Sequence, residues 1–233
     1  MVLTFEDKSG KTRRMNFETE GYTLFSSVLD ESTLEVLRQE FRRLNSQSTA
    51  GIRNVIAQSP AIAALASLEC ITDLLLGPER QPVRSLLFDK TPQANWPVAW
   101  HQDRTITTKE RHEVEGYSPW SRKAGIDHVE PPAELLEQMV TLRIHLDDTG
   151  EDNGPLSVIP GSHRKGKIPP DQIPEIAERG TSSLTCNAGD VLMMRPLLLH
   201  SSRRAQEPSH RRIIHLEFAE LAILDRQLNW AES

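Results

Sequence analysis

The stretch Pro97-Val98-Ala99-Trp100-His101-Gln102-Asp103-Arg104 places an imidazole and a carboxylate two residues apart, directly after an apolar run. Successive side chains of an extended backbone alternate between faces, so His101 and Asp103 project from the same side. Side by side they fill two corners of a metal site and leave room for a third ligand from another strand. Two histidines and one carboxylate on one face of an octahedron hold Fe(II) and leave the remaining positions open. Neutral imidazoles retain the metal, and a single carboxylate keeps the centre cationic enough for an anionic chelating co-substrate. The bland alternative is a strand end with a solvated His and Asp. Spacing alone does not single out this pair, because His145-Leu146-Asp147 is a second HxD.

The distal candidate is His200, at the end of the apolar run that follows the tight turn Gly189-Asp190, with Ser201 and Ser202 beside it. A strand-edge histidine capped by hydroxyls is the competing reading. Next comes Arg211-Arg212-Ile213-Ile214-His215-Leu216-Glu217-Phe218. Adjacent strand residues face opposite ways, so only one of Arg211 and Arg212 points inward. Alternation groups Arg212 with Ile214, Leu216 and Phe218, the more apolar side, and leaves the choice open. An inward arginine near a metal suits a dicarboxylate, since its planar fork binds a carboxylate at two points.

Elements must hold these groups in place. A chain of 233 residues, 37% hydrophobic and 26% charged, is long enough for one sizeable core. Its net charge of −6 argues against a nucleic-acid partner, and no apolar run of about eighteen residues is present to span a membrane. The first residues lack the apolar core of a secretory signal, so a cytoplasmic protein is expected; Cys70 and Cys186 are expected to be buried thiols. Polar residues 7–11 suggest a hairpin turn, and Gly21–Leu29 an extended segment. Ser32 and Glu35 have capping-box spacing ahead of a helix whose stripe is Leu34, Leu37, Phe41 and Leu44, with Arg38, Arg42 and Arg43 on a solvated face. A second helix is expected from about Pro60 to Leu76. From residue 82 onward short apolar runs separated by Gly, Pro, Asn or Asp read as strands, and the absence of crossover helices between them favours a sandwich or barrel. Residues 104–138 read as a long irregular stretch, and loops of that length are often functional. Residues 170–180 suggest a turn or two of helix.

The motifs Trp-His-Gln-Asp, Asn153-Gly154-Pro155-Leu156-Ser157-Val158-Ile159-Pro160-Gly161-Ser162-His163, Ala188-Gly189-Asp190-Val191 with His200-Ser201-Ser202, and the Arg211–Ala219 strand, in this order, resemble the phytanoyl-CoA dioxygenase family of Fe(II)/2-oxoglutarate oxygenases. The likeness runs over roughly residues 20–220. It implies a mostly β fold, a double-stranded β-helix (jelly roll, cupin-like) core at about 82–220 with N-terminal helices at about 1–80, in one domain, 1–233. Carried over by position, the resemblance implies His101, Asp103 and His200 as metal ligands, and Arg211 with Ser202 as partners of the far carboxylate of 2-oxoglutarate. It chooses Arg211 over Arg212, and it demotes His145-Leu146-Asp147 to a core strand. It also implies Fe(II), 2-oxoglutarate and dioxygen as cofactor and co-substrates. The length of the irregular stretch makes residues 104–132 an expected lid.

The functional expectation is a dioxygenase that hydroxylates a C–H bond of a small molecule, releasing succinate and CO2. Lys90 and Arg143, if they face the cavity, favour an anionic substrate, and Trp100 either walls the site or packs in the core. Gly154, Pro155, Pro160 and Gly161 read as turn formers and His163 as structural. Arg164, Lys165 and Lys167 read as a solvated basic cluster. Two other readings compete: a catalytically inactive binding or sensing module of the same fold, and a divalent-metal hydrolase. The hydrolase is disfavoured by the lack of a second metal cluster in the sequence.

Overall fold

The computed structural model describes residues 5–6, 12–13, 17–45, 51–77, 79–178 and 180–232. The chain begins with the paired strands β1 (Phe5–Glu6) and β2 (Thr12–Arg13); the turn expected between them lies outside the described residues. Then come α1 (Phe17–Glu20), β3 (Tyr22–Phe25), α2 (Glu31–Leu44), β4 (Gly51–Arg53), α3 (Pro60–Ala66), α4 (Glu69–Thr72) and β5 (Arg80–Lys90). The middle of the chain holds β6 (Val98–His101), β7 (Ile106–Thr108), β8 (Trp120–Lys123), β9 (Ile126–Val129), α5 (Ala133–Gln138) and β10 (Val140–His145). The last part adds β11 (Leu156–Val158), α6 (Ile173–Ala177), β12 (Ser182–Leu184), β13 (Val191–Met194), β14 (His200–Ser202) and β15 (Arg211–Glu220).

Two antiparallel sheets carry the architecture. A six-stranded sheet runs β3-β13-β10-β15-β5-β4 and a four-stranded sheet runs β12-β11-β14-β6. Leu156 and Val158 of the smaller sheet pack against Leu192 and Met194 of the larger one, which closes the pair into a double-stranded β-helix, or jelly roll. The larger sheet is covered on both faces. Leu142, Ile144, Ile214, Leu216 and Phe218 meet the helices through Leu34, Leu37, Phe41, Ile62 and Leu65. The opposite face, between the sheets, is apolar along β13 and polar along β10 and β15, where Arg143, His145, Arg211, His215 and Glu217 are buried.

Local chemistry adjusts the expected boundaries. Asp30, not Ser32, caps α2: its carboxylate accepts from the Thr33 amide at 2.8 Å and the Ser32 hydroxyl at 2.9 Å. A carboxylate satisfies the free amides of a first turn and also suits the positive end of the helix. Glu35 is thereby released to Arg42 and Gln39. Arg38 is not on a solvated face; its Nε donates to the Leu146 carbonyl at 2.9 Å. The second helix is broken at Leu68, which is extended (ψ 138°) after Ser67 and Leu68 donate to Ala64 and Leu65, a span one residue shorter than in an α-helix. The break leaves Leu68 exposed while Ile71 and Leu75 stay in the core. Cys70 is exposed, against expectation, and Cys186 is buried. At the turn into β13, Gly189 adopts φ +88°, and a Cβ there would lie 2.6 Å from the Leu29 carbonyl oxygen, so only glycine fits. Among the described residues no helix is long and apolar enough to cross a membrane.

Residues 104–132 are not an irregular loop. They form a three-stranded antiparallel sheet, β7-β9-β8, backed by Leu135, Leu136 and Trp230. The strand pattern was missed because its runs are three or four residues long and polar on the outside. The last residues of the chain extend this sheet: Lys109 donates to the Asn229 carbonyl, and Ala231 to that of Thr107.

Leu142 lies at the centre of the helix-covered face and is fully buried. Leu142→Ala should therefore lower the unfolding free energy by about 2–5 kcal/mol, because the packed core cannot collapse around the lost atoms. Val36, exposed on α2 (52%), should tolerate Val36→Ala with a change within about 0.5 kcal/mol. Urea unfolding of the metal-free protein measures both.

Candidate metal centre and active site

His101 ends β6 and His200 opens β14, and the two are direct partners in the antiparallel register. Their rings lie 4.1 Å apart, centroid to centroid. Asp103 follows β6 and is held by its amide, which donates to the Pro196 carbonyl at 2.9 Å. One carboxylate oxygen stands 3.8 Å from His101 Nε2 and the other 3.7 Å from His200 Nε2. All three candidate ligand atoms lie within 4.8 Å of one another.

The donor set fits a divalent metal. Each imidazole uses Nδ1 on the backbone two residues earlier, His101 to the Ala99 carbonyl at 2.8 Å and His200 to that of Leu198 at 2.9 Å. A carbonyl only accepts, so Nδ1 carries the proton and Nε2 presents its lone pair to Asp103 and the space between. Asp103 Oδ2 is buried without a hydrogen-bond partner, a costly state unless a cation completes it. Burial resists the charge on Asp103, but His200, His215 and His101 outweigh it and hold the carboxyl below its usual range. Burial pushes His200 down to about 4, only partly offset by Asp103. The imidazole is therefore neutral and ready to ligate at pH 7. Between His101 and Asp103, the Gln102 amide donates to the Gly166 and Leu197 carbonyls and accepts from the Ile168 amide. This buried cross-link fixes the HxD segment. Sequence reading passed over Gln102, although a glutamine between two ligands must point away from the metal.

Arg211 begins β15 opposite Lys90, the last residue of β5. Both side chains point between the sheets and both are buried. The Arg211 guanidinium donates to the Gly154 carbonyl and, at 3.1 Å, to the Ser202 hydroxyl. Lys90 donates to Ser202 Oγ at 2.7 Å and to the Arg203 carbonyl at 2.6 Å. No carboxylate neutralises this cluster among the described residues. Burial, with Arg211 and Arg143 adding repulsion, pushes Lys90 down to about 7; burial, with Arg143, pushes Arg211 down to about 9. The backbone closes in here at Gly154 (φ +62°), where a Cβ would sit 2.7 Å from the Arg203 carbonyl oxygen. Arg212 faces the helix side and makes a two-pronged pair with Asp147, at 2.8 and 2.6 Å. The apolar side of this strand is therefore the helix-packed side, which explains why alternation alone leaned toward the other arginine.

Arg143 and His145 also point between the sheets, from β10. His145 is buried and its Nδ1 meets the Thr149 hydroxyl at 3.2 Å. It belongs to no metal-capable group among the described residues. Asp147 does not continue this face, because β10 ends at His145 and the chain turns toward Arg212. Trp100 packs against Ile159, Ile168, Ile176 and Leu199 on the outer side of the smaller sheet. It faces away from the metal pair, since it alternates with His101. Lys167 is not merely solvated: with Arg104 it grips Glu130, at 3.0 and 2.6 Å, and ties down the base of the three-stranded sheet. His163 is structural, with Nε2 donating to the Glu18 carbonyl at 3.1 Å.

The structure also brings together a group that the sequence did not announce. His215 and Glu217 of β15 lie within 4.8 Å of Asp103, measured between ligand atoms. They do not form a second metal site: Glu217 is paired with Arg84 at 3.0 Å, and His215 Nε2 is turned to Glu217 at 3.3 Å. Their parity with Arg211 was visible in the sequence; their partners on other strands were not.

Burial pushes His145 from the ordinary histidine value of 6.5 down to about 3, with Arg143 and Arg211 adding to it. The unfolded chain thus binds protons that the folded chain refuses as pH falls through 6.5, and stability must fall with it. Thermal scans of the metal-free protein should show a decline between about pH 6.5 and 4, shallower in His145→Gln. Equal slopes would mean that His145 is not held neutral.

Comparison with known proteins follows the same lines. Residues 17–213 match the family model described as Phytanoyl-CoA dioxygenase (PhyH). A protein of Stutzerimonas stutzeri named "Probable alpha-ketoglutarate-dependent hypophosphite dioxygenase" is 31% identical over 137 residues, 55% of this chain but only 38% of that protein. Among solved structures, EctD from S. alaskensis with 2-oxoglutarate and 5-hydroxyectoine superposes with a TM-score of 0.69 at 22% identity, over 88% of this chain and 74% of that one. HygX from Streptomyces hygroscopicus, with nickel and 2-oxoglutarate bound, gives 0.61 at 20%, over 87% and 84%. The carbocyclase SnoK of nogalamycin biosynthesis, described as non-heme and alpha ketoglutarate dependent, gives 0.68 at 16%, over 88% and 81%. At these identities the structural likeness is one of fold. The family match encloses the HxD pair, His200 and Arg211, and the chain belongs to the phytanoyl-CoA dioxygenase (PhyH) family.

Proposed function

We propose that this protein is a non-haem Fe(II)- and 2-oxoglutarate-dependent dioxygenase that hydroxylates a C–H bond of a small, anionic molecule. The observation that carries the reading is the pairing of two sites across one cavity. His101, Asp103 and His200 converge on one side, and on the other Arg211, Ser202 and Lys90 gather buried cations with no carboxylate partner among the described residues.

When bound, Fe(II) with 2-oxoglutarate supplies the activation of dioxygen; one oxygen atom enters the substrate as hydroxyl and the other enters succinate, with loss of CO2. The chain's own part is positioning. His101 and His200 offer Nε2 lone pairs fixed by their Nδ1 bonds, and Asp103 supplies the single negative charge. Arg211 and Ser202 hold the far carboxylate of the co-substrate, and Lys90 holds Ser202 in place. The jelly roll keeps the reacting groups between two packed sheets and limits water around them. The intact triad favours an enzyme over a binding module that has lost its metal. The anionic substrate is supported by Lys90 and Arg143, both inward, and by the curated relative, which is named for hypophosphite, a small oxyanion.

Anaerobic protein with Fe(II) and 2-oxoglutarate should show the weak visible charge-transfer band of a chelated keto acid. That band should be absent in His200→Ala, and its absence in the unaltered protein at saturating ligand would sink the reading. Arg211→Ala removes charge-assisted hydrogen bonds of about 1.5–3 kcal/mol and should weaken 2-oxoglutarate binding by roughly 10- to 100-fold. Arg212→Ala should leave that affinity nearly unchanged while lowering stability, because Asp147 loses its partner.

A further inference from the structure

A single chain of side-chain contacts crosses the middle of the larger sheet. Arg84 of β5 stands opposite Glu217 of β15, and His215 stands opposite Arg143 of β10. Arg84 Nη1 donates to Glu217 at 3.0 Å, His215 Nε2 meets the same carboxylate oxygen at 3.3 Å, and Arg143 Nη1 lies 3.2 Å from His215 Nδ1. A guanidinium only donates, so His215 Nδ1 accepts, and its proton must sit on Nε2 facing Glu217. His215 is therefore a neutral spacer. It orients Arg143 without neutralising it, because Arg84 already neutralises Glu217.

Arg143 is thus a held cation without a counter-ion. Its Nε has no partner although the residue is only 7% exposed. The guanidinium carbon stands 5.7 Å over the Phe88 ring centroid, a π face that eases a cation without neutralising it. Among the described residues it has no ion pair; the acidic group that acts on it is Asp103, already assigned to the metal. An unpaired buried guanidinium is costly, so a group that persists there serves something that arrives later. The far carboxylate of 2-oxoglutarate does not account for it. The Arg211 clamp lies four residues along β15 from His215, roughly 13 Å of extended chain. Arg143 and His215 lie instead beside Asp103.

We propose, resting on the function assigned above, that Arg143 is the substrate-binding cation of this enzyme, and that it receives a small monoanion with two oxygens on one centre, a carboxylate or a phosphorus oxyanion. His215, Glu217 and Arg84 are positioning residues that aim the guanidinium. Phe88 and the neighbouring His215, whose rings meet edge to face at 5.7 Å, flank the guanidinium.

The test is calorimetric and independent of turnover. Acetate and hypophosphite, the two probes, are titrated into protein loaded with Ni(II) and 2-oxoglutarate, and 2-oxoglutarate itself into Ni(II) protein. Binding of either probe to the unaltered protein is expected, and which one binds tells carbon from phosphorus. In Arg143→Met that binding should weaken by roughly tenfold or more, with 2-oxoglutarate affinity unchanged within about twofold. Arg143→Lys, which keeps the charge and loses the fork, should fall between. The thermal midpoint of metal-free Arg143→Met should stay level or rise, since an unpaired buried charge is removed; a structural role would lower it. Equal loss of 2-oxoglutarate binding would make Arg143 a co-substrate group and overturn the proposal. So would a fall in midpoint, probe binding that survives in Arg143→Met, or an unaltered protein that binds 2-oxoglutarate but neither probe. Failure of the unaltered protein to bind 2-oxoglutarate at all would remove the underlying function first, and the proposal with it.

Discussion

The cross-strand pairing of His200 with His101 is the constraint on which the rest depends. Once β14 and β6 adopt that register, both imidazoles stand on the inner face of the smaller sheet. Their orientation then needs no distant partner, because each Nδ1 reaches the carbonyl two residues back along the chain. Asp103 completes the triad only because Gln102 pins the chain between them to the loops at Gly166 and Leu197. A shift of one residue would turn every side chain of the strand to the opposite face and exchange His101 for Trp100, whose apolar partners lie on the outer side.

The larger sheet meets a second demand. Its strands must be apolar enough on one face to hold three helices, yet polar on the other to face a cavity. Strict alternation along β10 and β15 does both: Leu142, Ile144, Ile214, Leu216 and Phe218 go outward to the helices, while Arg143, His145, Arg211, His215 and Glu217 go inward. Burying that inner row would be prohibitive if each group stood alone. It is tolerable because the register places Arg84 opposite Glu217 and His215 opposite Arg143, while Arg211 and Lys90 both donate to Ser202 of the facing sheet. Arg143, His215 and Glu217 are held by their neighbours on adjacent strands.

This division explains what could be read from the sequence. The metal pair was legible because its spacing is local, and the strand-rich core because its apolar runs are separated by turn residues. The choice between His101–Asp103 and His145–Asp147, and between Arg211 and Arg212, was not local. Both faces of the larger sheet are buried, so alternation says that two faces exist without saying which one meets the metal. Only the order of motifs along the chain, read as a family likeness, decided it. The helix cap went to Asp30 because a carboxylate outcompetes a hydroxyl two residues on, and the capping-box spacing at Ser32 was coincidental. The contact from Arg143 to His215 spans 72 residues and exists only through strand register. Residues 104–132 look irregular because their strands are only three or four residues long, and β7 also bonds to residues near the end of the chain, which no window of sequence contains.

The polarity of the cavity has a further consequence for the metal-free protein. Lys90, Arg143 and Arg211 lie between the sheets without a carboxylate partner among the described residues, and burial pulls all three toward their neutral forms. Mutual repulsion adds to that pull at Lys90 and Arg211. A dicarboxylate lodged against Arg211 removes both the repulsion and the unmet hydrogen bonds at that end. Arg143 stays uncompensated until a second anion arrives. The fold thus holds unpaired positive charge between its sheets, and on the function proposed above the cations at Ser202 and at His215 match a dicarboxylate and one further anion.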